Sequence, residues 1–271
     1  MIRSPAVAGL FYPADAAEAN AQLDELMPVS GESRPATALV VPHAGWRYSG
    51  RTAGIAYARA VIPDRVILIG PNHHGVGAPY ALYDAGRWRT PLGDVPVAEP
   101  LAAELLDASE LLAEDYRAHS REHSLEVQLP FLLRRNPAVR IVPLVIGGSW
   151  PGEAAELREI GEAIAQTVRA YGQPVLLIAS TDLNHYEDQA TSNIKDRLVL
   201  DAITQLDEDG LLQRVREVEV SMCGVAPTYV VIHAAKRLRA RHAELLDYRT
   251  SGDVTGDYAS VVGYGAVAIT A

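Results

Sequence analysis

Three runs of leucine and β-branched residues, Leu39-Val40-Val41, Val66-Ile67-Leu68-Ile69 and Val175-Leu176-Leu177-Ile178, each break off into a polar cluster. Strands that are apolar on both faces belong to a sheet covered by helices on each side. The clusters are Pro42-His43-Ala44-Gly45-Trp46, Gly70-Pro71-Asn72-His73-His74-Gly75 and Ser180-Thr181-Asp182-Leu183-Asn184-His185. A fourth, Met222-Cys223-Gly224, heads an apolar, helix-like stretch. Open α/β sheets hold their ligands beyond the carboxyl ends of the strands, so imidazoles delivered by separate strands converge there. Four of the 8 histidines and the only cysteine are spent in these clusters, a pattern that reads as a metal site.

Periodicity fills in the rest. Helical spacing covers Ala16–Met27, Ser49–Val61, Pro100–Ala108, Ser124–Arg135, Glu153–Tyr171, Ser192–Leu206, Gly210–Val218 and Gly224–Arg239, with Ser49 as a serine cap. Strands are expected at Ala38–Val41, Arg65–Ile69, Pro79–Tyr83, Asp94–Val97, Arg140–Ile146, Val175–Ala179, Leu245–Arg249 and Ser260–Ile269. Pro28–Pro35 reads as a loop. No repeat, low-complexity tract or linker divides the chain, so one domain over residues 1–271 is expected.

Composition excludes several classes. With 271 residues and 48% hydrophobic content the chain can bury a large core. A net charge of -10 argues against nucleic acid, which needs a basic surface, and against an anionic membrane. No apolar run reaches the roughly 18 residues that span a bilayer. A single cysteine cannot form an intrachain disulfide and suits a reducing cytoplasm, and Met1–Asp15 lacks the pattern of a signal peptide. No phosphate-binding glycine motif or serine-nucleophile elbow is present.

Each cluster has a plainer alternative. His43 in isolation is a loop histidine bonded to backbone; its company favours a ligand. His73 and His74 are adjacent and point apart in extended chain, so one ligates and the other supports or lines the pocket. Asp182 and His185 share a face if a helical turn starts there, Asp182 orienting or ligating and His185 shuttling protons. Otherwise Ser180, Thr181 or Asp182 merely caps a helix. Cys223 is either a small buried hydrophobe or a thiolate favoured by a helix N-terminus. Glu122 and His123 supply a base or a partner to a ligating histidine, while Glu126 reads as a first-turn carboxylate. His119, His233 and His242 read as surface or helix residues.

With those residues in place, the chain resembles the Memo family, whose prokaryotic members are called AmmeMemoRadiSam system protein B. The matching residues include Pro5-Ala6-Val7-Ala8-Gly9, Phe11-Tyr12-Pro13, Pro42-His43-Ala44-Gly45, Tyr48-Ser49-Gly50 and Gly70-Pro71-Asn72-His73-His74. They continue through Glu122-His123-Ser124-Leu125-Glu126, Leu129-Pro130, Ser180 to His185, Cys223-Gly224, Tyr248 and Ser251-Gly252. That family is similar in fold to the class III extradiol ring-cleaving dioxygenases. The resemblance implies a mixed, mainly parallel sheet flanked by helices on both faces. It also implies a metal held by His43, His73 and Cys223, iron first, with zinc or copper as alternatives. It assigns Asp182 and His185 to the same pocket, His185 as acid/base; Tyr48, His74 and His123 are expected to line it. Cysteine stands where the dioxygenases have glutamate, which alters the redox poise.

Three functions compete. One is an iron-dependent redox enzyme acting on a small organic substrate. Another is a zinc hydrolase with Glu122 or Asp182 as base. The last is a non-enzymatic module that binds metal or peptide in the same pocket. The resemblance also implies a link to a radical-SAM protein.

Overall fold

In the computed structural model, which describes residues 1–28, 32–147 and 154–271, the apolar runs form the centre of a mixed sheet. Its nine strands among the described residues are β1 (Ala38–Val41), β2 (Arg65–Pro71), β3 (Tyr80–Leu82), β4 (Ala113–Glu114), β5 (Arg140–Ile146), β6 (Leu176–Ser180), β7 (His185–Glu187), β8 (His242–Thr250) and β9 (Val261–Thr270). β1, β6, β2 and β5 lie side by side and parallel. Antiparallel strands extend both sides: β9 beside β1, with β7 and β8 on β9, and β3 beside β5. All of β1 and β6, and all but the first residue of β2 and β5, are buried. That is the two-sided burial their composition demands.

The main helices are α1 (Ala16–Leu26), α2 (Trp46–Arg59), α3 (Glu99–Ala108), α4 (Leu129–Arg135), α5 (Ala154–Tyr171), α6 (Gln189–Thr204), α7 (Glu208–Glu217) and α8 (Val225–Arg237). α2 packs on β1, β8 and β9, backed by α1 and α4; α8 packs on β1, β2, β5 and β6, backed by α5 and α7. A Cβ at Gly54 would stand 2.2 Å from the Leu26 carbonyl, so glycine is what lets α1 and α2 touch through backbone. No helix among the described residues is long and apolar enough to cross a membrane.

Several boundaries depart from the periodicity. α2 begins at Trp46 behind Gly45, not at a Ser49 cap; the Trp46 N–H finds the Phe11 carbonyl, and Ser49 Oγ donates to the Ala44 carbonyl. The helix expected over Ser124–Arg135 is a 3₁₀ turn, Glu126–Gln128, leading into α4, with Pro130 in the first turn where it is tolerated. No helical turn starts at Asp182: His185 opens the edge strand β7, and α6 waits for its cap at Asp188. A second sheet joins Ile2–Arg3, Arg87–Thr90 and Gly93–Pro96, of which periodicity indicated only the last. The expected helix start at Glu153 and part of the Pro28–Pro35 loop lie outside the described residues.

His119 and Glu126 are corrected most. Glu126 is no exposed first-turn carboxylate but is fully buried against Arg3. His119 is fully buried beside Tyr83 and Trp88, its Nε2 donating to the Ala81 carbonyl. Burial pushes its pKa down to about 3. The unfolded chain takes up that proton below about pH 6.5, and the fold refuses it until about pH 3. Stability therefore falls as pH drops through this window, by up to about 1.4 kcal/mol per unit for one proton. Urea midpoints from pH 7 to 4 should show a shallower acid decline in His119→Gln than in the native chain; parallel curves would refute this.

Candidate metal centre

His43 leaves the carboxyl end of β1 and is 1% exposed. Asp182 Oδ1, from the loop after β6, accepts its backbone N–H at 2.8 Å and that of Ala44 at 3.2 Å. The ring lies between two side chains, with Nδ1 3.0 Å from Ser180 Oγ and Nε2 3.2 Å from Cys223 Sγ. Burial, then the charges of His73 and His123, holds it well below the usual histidine pKa.

His73 lies two residues beyond the end of β2, after Asn72. Its backbone N–H and its Nδ1–H both donate to Glu122, at 2.6 and 2.9 Å, which leaves Nε2 free. Burial raises the Glu122 pKa, but the His73 hydrogen bond and charge, with the Ser124 N–H, outweigh it and hold the carboxyl well below its usual range. The His43 and His73 rings meet edge to face at 5.2 Å.

Cys223 arrives from the head of α8 because that helix abuts β6. A Cβ on Gly224 would lie 2.4 Å from Thr181 Cβ and 2.7 Å from the Ser180 carbonyl. The Gly224 N–H donates to Thr181 Oγ1, and the Asp182 N–H donates to Cys223 Sγ at 3.2 Å. Of the two readings of Cys223, a small buried hydrophobe or a thiolate, the protein alone favours the neutral thiol. Burial, with the charge of Asp182, pushes the thiol up. A bound cation reverses that balance, since a coordinating thiol is deprotonated outright.

The candidate ligand atoms of His43, His73 and Cys223 all lie within 4.8 Å of one another. Two imidazole nitrogens and a sulfur, each histidine tied back through its other nitrogen, fit a divalent transition metal. His73, Glu122 and His123 form a second close group, but a poor one. Glu122 Oε1 already accepts from His73 Nδ1 and from the His123 and Ser124 N–H groups. The His73 and His123 rings are stacked at 4.4 Å, a geometry in which their lone pairs do not converge.

The other expected residues divide. His123 lies in the cluster, 5.5 Å from the His43 ring and covered by Phe11 at 4.8 Å; burial, then the charge of His73, lowers its pKa to about 4. Asp182 is 5% exposed, and burial raises its carboxyl pKa against its backbone hydrogen bonds. His185 is half-buried, its Nδ1 donating to the Ser221 carbonyl at 2.8 Å, and its charge reaches His43 and Asp182. Tyr48 is half-buried and acts electrostatically on Tyr264, as do Asp182 and Tyr186. His74, exposed like His73, turns its Nε2 to donate to the Arg121 carbonyl, and its charge reaches His123. Sequence reasoning missed Ser180 and Gln128 as side chains behind His43. A serine between a buried strand and the Asp182 loop was the one available signal.

Comparisons agree with this architecture. A family described as "Memo-like protein" matches residues 3–268. A MEMO1 family protein of Methanopyrus kandleri is 42% identical over 281 residues, covering 98% of each chain. One from Pyrobaculum arsenaticum is 40% identical, also over 98% of each. Among solved structures, an uncharacterized protein of Escherichia coli K12 superposes with a TM-score of 0.53 over 84% of this chain and 98% of that one; at 15% identity it speaks for the fold alone. Matched over nearly its whole length, the chain belongs to the Memo family.

Proposed function

We propose that the protein holds a divalent metal ion, iron by preference, through His43 Nε2, His73 Nε2 and Cys223 Sγ, and serves as a dioxygenase-like redox enzyme on a small organic substrate. The supporting observation is the convergence, within 4.8 Å, of ligand atoms from three separate elements. Iron held there would supply one-electron and oxygen chemistry. The chain's own residues do the rest. His185, with Nδ1 spent on the Ser221 carbonyl, keeps Nε2 to take a substrate proton. Asp182 fixes the His43 backbone through Oδ1. Glu122 orients His73 and is not the base, because both of its oxygens are engaged. Phe11 packs on His123, which stacks on His73 and forms one wall of the group.

The donor set also suits zinc, and with Glu122 committed a hydrolase would draw its base from Asp182. Metal analysis of anaerobically purified protein, followed by oxygen uptake with a panel of aromatic diols, separates the readings. His185→Ala should keep its metal and lose about 10²–10⁴-fold in turnover. Zinc alone, with ester or amide hydrolysis and no oxygen uptake, would replace the redox reading. Metal-replete protein inert in both assays would leave a binding module.

A further inference from the structure

Two backbone carbonyls behind His43 decide which of its nitrogens carries the proton. A carbonyl only accepts, so whatever bonds it must donate. Ser180 Oγ lies 2.7 Å from the Ser124 carbonyl and spends its single hydrogen there. The Gln128 amide lies 2.8 Å from the Pro42 carbonyl and 2.9 Å from Ser180 Oγ, so that end is the NH₂. Its oxygen then accepts from the Tyr57 hydroxyl at 3.0 Å, a contact this orientation satisfies. Ser180 Oγ therefore offers His43 Nδ1, 3.0 Å away, only a lone pair. The donor in that contact is Nδ1–H.

We propose that Ser180, held by Gln128 and Tyr57, is a positioning residue that locks His43 in its Nδ1–H tautomer and turns the Nε2 lone pair toward Cys223 and the metal. The inference rests on the metal reading above, though the lock itself belongs to the protein alone. Tyr57, Gln128 and Ser180 are each fully buried, so solvent does not rearrange the chain of donors. The opposite tautomer would make Ser180 donate to Nδ1 and strip the Ser124 carbonyl of that hydrogen bond. His73 is fixed differently, since it gives its Nδ1–H to a carboxylate. The two histidines thus reach the centre unequal. A carboxylate stands behind His73 and a neutral hydroxyl behind His43.

The test uses metal-free protein with ¹⁵N-labelled histidine, whose long-range ¹H–¹⁵N spectra report the tautomer of each ring. His43 should appear as Nδ1–H in the native chain. Ser180→Ala should lose that preference and bind Co²⁺ or Zn²⁺ about 10–100-fold more weakly, the scale of losing an outer hydrogen-bond partner. Ser180→Thr keeps the hydroxyl and should restore both readouts, which a purely structural role for Ser180 would not require. An Nε2–H signal in the native chain overturns the proposal without any variant. So does a Ser180→Ala protein with an unchanged tautomer or unchanged affinity. If the native chain took up no metal while the tautomer followed Ser180 as stated, the metal reading would fail and the lock would stand.

Discussion

Glu126→Ala should cost the fold about 3–5 kcal/mol, the scale of breaking a buried ion pair from one side. Glu126 Oε2 accepts from Arg3 Nη1 at 2.7 Å and the Ala6 N–H at 2.8 Å. Oε1 accepts from the Val7 N–H and the Tyr12 hydroxyl, each at 2.9 Å. Without that carboxylate, four donors of the N-terminal arm lose their acceptor. The Arg3 guanidinium stays behind, 5% exposed, still donating to the His119 and Glu122 carbonyls and stacked 4.1 Å over Trp88. Because Phe11 on the same arm covers His123, the damage should extend to one wall of the site. Denaturant unfolding measures the loss, and protease cutting near the exposed Leu10 measures release of the arm. A loss below about 1 kcal/mol, the value of an exposed pair, would refute the argument.

Cys223→Ala should weaken metal binding by roughly 10²–10³-fold while leaving the fold nearly intact. Four ligands supply ~10–16 kcal/mol to a structural zinc ion, so one of them is worth about a quarter of that. The thiol's contacts are few and long: the Asp182 N–H at 3.2 Å, His43 Nε2 at 3.2 Å, the Asp182 carbonyl at 3.6 Å and Thr181 Oγ1 at 3.9 Å. Competition against a chromophoric chelator gives the affinity, and the unfolding midpoint of the metal-free protein gives the fold. Affinity held to within tenfold would move the centre away from Cys223, toward His73 and His123.

The sequence exposed what depends on local pattern. β5 was readable to the residue over Arg140–Ile146, because a strand buried on both faces is one apolar run. That His43 would meet the His73-His74 pair was foreseeable because parallel strands end on one side of a sheet; the choice of His73 and of Cys223 came from the resemblance to the Memo family. What escaped depends on distant partners. Glu126 precedes an apolar helix, so by its neighbours it reads as a helix-start carboxylate; only a residue 123 positions away makes it a buried anchor. His185 lies in a strand because Val262 pairs with it, and three residues, one of them at positive φ, carry no periodicity to announce it. The stack of His123 on His73 spans two loops whose mutual approach no local signal encodes.

The same long separations set the order in which the molecule is built. His43 reaches Ser180 across 137 positions and Cys223 across 180, and Arg3 reaches Glu126 across 123. Closing loops of that size costs entropy before any contact repays it, so such contacts form late. The pairings of β1 with β6 and β9 span comparable lengths, so the pocket is complete only once the centre of the sheet has closed. An ion taken up at this site would meet a finished protein and stabilise it by mass action, rather than serving as the nucleus around which the chain collapses.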